Sequence, residues 1–221
     1  MCGRYTLAIN ELEIEERFSK KLAFKIAPMY NVCPSHIMPI IPMQSPQIVA
    51  AKWGISHPSN QKLIINAKSE GILEIPIFKD LISMNRCLIP ADSFIEWDKS
   101  ALHQPYRFSL SGTSIFSFAG LYKKTITNNV TTISYTIITT KANSFMESIH
   151  YRMPVILTSD KELDWLNTQN NMSQVLEILF SNNPNRLIKE AISTKINHSK
   201  ANNFELLQPT SPQNTLFGET Y

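Results

Sequence analysis

The sequence predicts an α+β domain: a curved, partly closed, barrel-like antiparallel β-sheet with flanking helices. Three observations point there. Short apolar and β-branched runs crowd the middle of the 221-residue chain, helical patterns fall near its two ends, and the two do not alternate as in a βαβ repeat. The length suits a single domain with one sizeable core.

Each element follows from its residues. Residues 10–24, NELEIEERFSKKLAF, open on a good N-cap, Asn10, and carry acidic residues early and basic ones late, which predicts a helix aligned with its own dipole. The runs IMPII, QIVAAKW and KLIIN are broken by Pro, Ser, Asn and Gln clusters and read as strands. PYRFSL alternates Tyr106, Phe108 and Leu110, and IFSFAGLY and TTISYTIITT continue the β pattern. Helix returns at SDKE, where Ser159 and Glu162 have the spacing of a capping box, and again at SQVLEILF. Residues 210–221 follow a Pro-containing, apolar-poor stretch and read as a loosely held tail after a domain spanning 1–209.

Composition narrows the function. Lys and Arg number 21 against 18 Asp and Glu, so a net charge of +3 allows a local nucleic-acid-binding patch without announcing one. Three scattered cysteines are not a disulfide framework, and there is neither a leader-like apolar run at the start nor a stretch long enough to span a bilayer; the expectation is a cytoplasmic protein. The chain lacks the glycine fingerprints of nucleotide-binding loops, the HExxH of zincins and the GxSxG of α/β-hydrolases. Cys33 and His36 in CPSH have a metal-like spacing but no second matching pair, so no metal and no cofactor are expected.

Four residues could carry chemistry. Cys2 alone reads as a small apolar residue near the chain start, but removal of Met1 would give it both a free α-amine and a thiol. His150 precedes Arg152-Met-Pro and an apolar run, Glu96 ends the run DSFIE, and Asn66 sits where a strand should end. Singly, each is as well explained as a structural polar group. Trp53 and Trp97 could stack on bases, although a Trp ending a β run is more often core.

Together these segments resemble the SRAP family, the SOS-response-associated peptidase domain proteins. MCGRYTL, YNVCPSHIMPII, KWGI, INAKSE, RCLIPADSFIEW, FSFAGLY, TIITTKAN, IHYRMPVIL and ISTKIN occur in family order and spacing, from Met1 to about Pro209. The resemblance implies a DNA-repair protein that binds single-stranded DNA at abasic sites, including those at single-strand/double-strand junctions. It implies covalent capture by Cys2 through a thiazolidine, with Glu96 moving protons, His150 opening the sugar and Asn66 holding the terminus. It further implies phosphate contacts from Arg4, Lys68, Arg86 and Arg152, with Trp53, Thr139 and Thr140 near the DNA groove. A monomer, associated with the bacterial nucleoid when DNA-bound, is the corresponding expectation. Lys68, Ile95 and Tyr151 stand where the family usually has Arg, Tyr and Asp. Self-cleavage by an N-terminal nucleophile and noncovalent DNA binding are the two other readings.

Overall fold

The computed structural model describes residues 2–180 and 186–211. The chain opens with β1 (Tyr5–Leu7) and α1 (Glu11–Phe18), followed by β2 (Lys21–Leu22), β3 (Met29–Val32), β4 (Ile37–Pro42) and β5 (Gln47–Trp53). A small hairpin, β6 (Ile55–Ser56) and β7 (Leu63–Ile64), leads into β8 (Asn66–Lys68) and α2 (Pro76–Met84). The central strands are β9 (Arg86–Ala91), β10 (Ser93–Trp97), β11 (Pro105–Leu110), β12 (Phe116–Thr127) and β13 (Val130–Lys141). After them come α3 (Ser144–Glu147), β14 (Arg152–Pro154), β15 (Ile156–Leu157), α4 (Ser159–Leu166), α5 (Met172–Phe180) and β16 (Leu187–Ala191).

Strands β13, β12, β9, β4 and β5 form a ring, because β5 pairs back onto β13. The expected barrel-like sheet is therefore a closed five-stranded barrel, and the sheet is mixed: the closing β5–β13 pair is parallel, as are β8–β13 and β2–β5. Closure leaves no unpaired edge inside the ring. A second sheet, ordered β16-β11-β10-β1-β3, packs alongside and shares the same core through Tyr5, Phe94 and Phe108. Strand β10 alternates as a half-buried strand should: Phe94 faces the main core, while Ile95 faces a satellite cluster with Ile192, Ile196, Leu206 and Leu207. That alternation turns Glu96 to the same side as Phe94.

Two helices differ in detail from their sequence patterns. The first ends at Phe18 rather than Phe24, because Ser19 adopts a left-handed conformation (φ 51°) as its C-cap, and Lys21–Leu22 then pairs with β5. Asn10 is its N-cap, as expected, and the structure adds a reciprocal capping box between Asn10 and Glu13. Helix α4 does start at Ser159, but no capping box forms: Glu162 turns inward to accept hydrogen bonds from Ser117 Oγ at 2.8 Å and Arg17 Nη2 at 2.9 Å. A buried partner pair outweighs an exposed cap here, since burial penalises any carboxylate left unsatisfied. The sequence pattern assigns no secondary-structure element to helix α2 or to the wholly buried strand β9. Of the expected C-terminal tail, residues 212–221 lie outside the described residues. Among the described residues no helix is long and apolar enough to cross a membrane.

The barrel wall is tight where β12 crosses β9. A Cβ added at Gly120 would come within 2.5 Å of Ile89 Cδ1 and 3.0 Å of the Cys87 Sγ, both in fully buried residues. Gly120→Ala is expected to destabilise the protein by about 2 kcal/mol through overpacking, lowering Tm by about 4–8 °C in a thermal melt; an unchanged Tm would contradict that packing.

Candidate active site

The site is assembled from both sheets. Strand β1 runs antiparallel to β10, with Tyr5 opposite Phe94, and the ladder continues past the strand end where the Ile95 N–H donates to the Arg4 carbonyl at 3.0 Å. This carries Cys2 to the end of β10 that bears Glu96. From the barrel, β8 lies parallel to β13, with Asn66 opposite Ile137, and Asn66 Nδ2 donates to the Cys2 carbonyl at 2.9 Å. Asn66 Oδ1 is shielded from solvent and has no partner among the described residues, a buried acceptor of the kind a bound donor would satisfy.

Electrostatics tie the group together. Cys2 is fully buried; burial, then the Glu96 carboxylate, push its thiol far above the ordinary value. Glu96 is 3% exposed, and burial pushes its carboxyl up to about 7. Burial pulls His150 below the usual imidazole value, with the Arg152 backbone acting the other way. The Glu96 charge acts on the Cys2 thiol directly, which places those two groups within one electrostatic neighbourhood. At neutral pH the site therefore holds a protonated thiol, an uncharged imidazole and a carboxyl close to its midpoint, the condition in which a group both gives and takes a proton readily.

His150 is held by its own turn. Its Nδ1 lies 3.0 Å from the Arg152 N–H and 3.1 Å from the Arg152 carbonyl, so the neutral ring accepts from the one and the protonated ring donates to the other without reorienting. Arg152 is in turn fixed by Glu70: its two terminal nitrogens donate to the two carboxylate oxygens at 2.7 and 2.9 Å, and Nη2 also donates to the Thr139 carbonyl at 2.6 Å. Although burial opposes it, Arg152 holds the Glu70 carboxyl below its usual range. Glu70 also accepts from the Lys141 N–H. Glu70 was not singled out in the sequence; its only signal was an acidic residue four positions after Asn66.

The expected DNA contacts divide. Lys68 is exposed on β8, and Thr140 is partly exposed on β13. Arg4 is a brace, donating from Nη1 to Asn31 Oδ1 at 2.6 Å and to the Ile196 carbonyl at 3.0 Å, with its guanidinium over Trp97. Thr139 and Arg152 are buried. Arg86 does not fit the expectation of a phosphate contact: it is 1% exposed and donates to the carbonyls of Ile82, Ser83, Trp165 and Asn167, joining α2 to α4. Trp53 offers no stacking face either, being fully buried with its indole N–H on the Ile65 carbonyl. Both are large side chains whose polar atoms found backbone partners inside the fold. In CPSH, His36 Nδ1 accepts from the Cys33 N–H and the Cys33 thiol points to backbone carbonyls, a local turn. Among the described residues no group of three or more His, Cys, Asp or Glu is placed to hold a metal ion.

Comparison with known proteins identifies the family and the fold. The sequence model of the SOS response associated peptidase (SRAP) family matches residues 1–199. The chain is 38% identical over 224 residues to abasic site processing protein YoaM of Bacillus subtilis, covering 94% of this chain and 97% of that one. It is 23% identical to abasic site processing protein YedK of Escherichia coli, covering 95% and 100%. A crystal structure of a Bacteroides thetaiotaomicron protein superimposes with a TM-score of 0.86 at 22% identity, over 95% of this chain and all of that one.

Two outcomes test the site's electrostatics and its frame. The Glu96 carboxyl titrates near 4.5 in an unperturbed setting and near 7 in the fold, so the folded state binds the extra proton between those values and stability falls as pH rises across that window. Glu96→Gln should remove that loss, raising stability by about 3 kcal/mol at pH 8 and by almost nothing at pH 4, as read by calorimetry. Arg86→Met should cost at least about 3 kcal/mol by orphaning buried carbonyls, as read by chemical denaturation; unchanged stability would contradict its role as a brace between α2 and α4.

Proposed function

Because the chain belongs to the SOS response associated peptidase family, we propose that it captures abasic sites in single-stranded DNA by a covalent bond to Cys2, once Met1 has been removed. The observation that carries this reading is the burial of Cys2 between Asn66, which holds its carbonyl, and Glu96, whose carboxyl burial brings to about 7. An abasic deoxyribose opens to an aldehyde, the functional group an amine and a neighbouring thiol capture together.

The order of steps follows from the protonation states. A thiol held well above its ordinary pKa is a poor first nucleophile, whereas an α-amine of ordinary pKa, about 8, is partly neutral at pH 7. The amine therefore attacks the aldehyde carbon first. Glu96 delivers a proton to the departing hydroxyl as water leaves and the imine forms. The Cys2 sulfur then adds to the imine carbon, its proton passing to the Glu96 carboxylate, and a five-membered thiazolidine closes. Both nucleophiles sit on one residue, so ring closure is intramolecular and avoids most of the entropy cost of a second encounter. His150, uncharged and held in one orientation by Arg152, suits proton transfer at the sugar ring oxygen during opening.

The same states weigh against self-cleavage as the main activity, since amide attack would need the Cys2 thiolate that this environment disfavours. A protein of this activity would act as a monomer on nucleoid DNA. Tag-free protein with Met1 verified absent should give a heat-stable band on a denaturing gel with a single-stranded oligonucleotide bearing one abasic site. Cys2→Ala should give none, and a residue left ahead of Cys2 should abolish the band while DNA binding persists. Undiminished crosslinking by the extended protein would remove the α-amine from the mechanism.

A further inference from the structure

Of the basic and aromatic residues that the sequence suggested for DNA contact, Arg86, Arg152 and Trp53 are buried, which leaves open what the strand lies on. The rim of the site supplies an alternative. Tyr151 directly follows His150, is 58% exposed, and stacks on the imidazole at 4.6 Å with the ring planes 26° apart. Lys99, in the loop after β10, places its ammonium 5.9 Å from the Tyr151 ring centroid. A second cluster repeats this pattern. Tyr106 is directly opposite Glu96 in the β10–β11 ladder, and Lys189 on β16 sits 5.2 Å from the Tyr106 ring and 6.0 Å from that of Phe145, which is 44% exposed.

One cluster therefore stacks on a catalytic candidate, His150, and the other lies opposite Glu96 in the β10–β11 ladder. Neither lysine has an ion-pair partner among the described residues. The carboxylates next to them in sequence are engaged elsewhere: Asp98 accepts from Ser100 and the Gln104 N–H, and Glu190 lies 3.9 Å from Arg107. Exposed aromatic faces interleaved with unpaired cations are what a single strand requires, bases stacking on the rings and phosphates on the ammonium groups. A lysine resting over an exposed ring is a weak contact that a base can replace, freeing the lysine for the adjacent phosphate.

Resting on the abasic-site reading above, we propose that Tyr151 with Lys99, and Phe145 and Tyr106 with Lys189, form the track that seats the single strand flanking the lesion. The track recognises unpaired bases by their faces and is indifferent to sequence. It also gives the exposed Tyr151 a role in binding.

The test uses full-length protein with Met1 removed and an undamaged single-stranded oligonucleotide, so that no covalent bond forms, read by fluorescence anisotropy across a salt series. Tyr151→Ala should weaken binding about tenfold and Tyr151→Phe should restore it. Lys99→Gln combined with Lys189→Gln should reduce the slope of log K against log salt by about 1.4, the loss of two phosphate contacts. Crosslinking of an abasic oligonucleotide by the same variants should need a protein concentration raised in proportion to the lost affinity. Unchanged affinity and salt slope in protein that crosslinks normally would overturn the track and leave the activity standing. Wild-type protein that neither binds nor crosslinks would overturn both.

Discussion

The barrel closes through a seam of only two paired positions, Lys52 with Ser134 and Trp53 with Tyr135, and the site depends on it. The seam is reinforced from within. Trp53 donates its backbone N–H to the His36 carbonyl and its indole N–H to the Ile65 carbonyl, and its ring stacks on Tyr135 with the planes 9° apart. Tyr135 in turn shares a 2.7 Å hydrogen bond with the Tyr5 hydroxyl. One buried aromatic cluster thus locks the parallel closure, sets the position of Ile65 and hence of Asn66, and anchors the strand that leads back to Cys2.

This arrangement explains why Cys2 is so deeply seated. Chain ends are ordinarily the least ordered part of a domain. Here the first strand is pinned on three sides: Tyr5 in the core, Thr6 and the Ala8 N–H on the buried Asp92 carboxylate, and Arg4 on Asn31 and Ile196. The terminus is consequently preorganised, and the groups around it keep the protonation states that burial imposes on them. Positioning on the opposite side comes from the Glu70–Arg152–Thr139 linkage, which joins the turn after β8 to β13 and β14 behind His150. Two rigid supports face each other across the site, one from each sheet.

A buried Arg is costly unless its donors are satisfied. Arg86 and Arg152 meet that requirement differently. Arg86 spends its donors on four carbonyls at the α2–α4 junction and acts as a structural bolt. Arg152 pairs with a partly exposed carboxylate beside the site, and so couples the solvent-facing side of β8 to the His150 turn. The sequence motif around each looked equally basic; their roles diverge only because different backbone groups surround them.

The residues themselves were enough to indicate the class of fold, the strands at QIVAAKW and PYRFSL and the N-cap at Asn10, and the family motifs singled out Cys2, Asn66, Glu96 and His150 as candidates. These are local patterns, periodicity, capping and motif spacing, that need no distant contact to be read. What the sequence could not reveal rests on partners far apart in the chain. Barrel closure depends on residues some eighty positions apart, the inward turn of Glu162 on Ser117 and Arg17, and the Glu70–Arg152 pair on the β8–β13 register. The distinction between a basic residue that faces solvent and one that caps carbonyls is likewise tertiary. Charge and size are written in the side chain, but burial and hydrogen-bond partners exist only once the chain has folded around it.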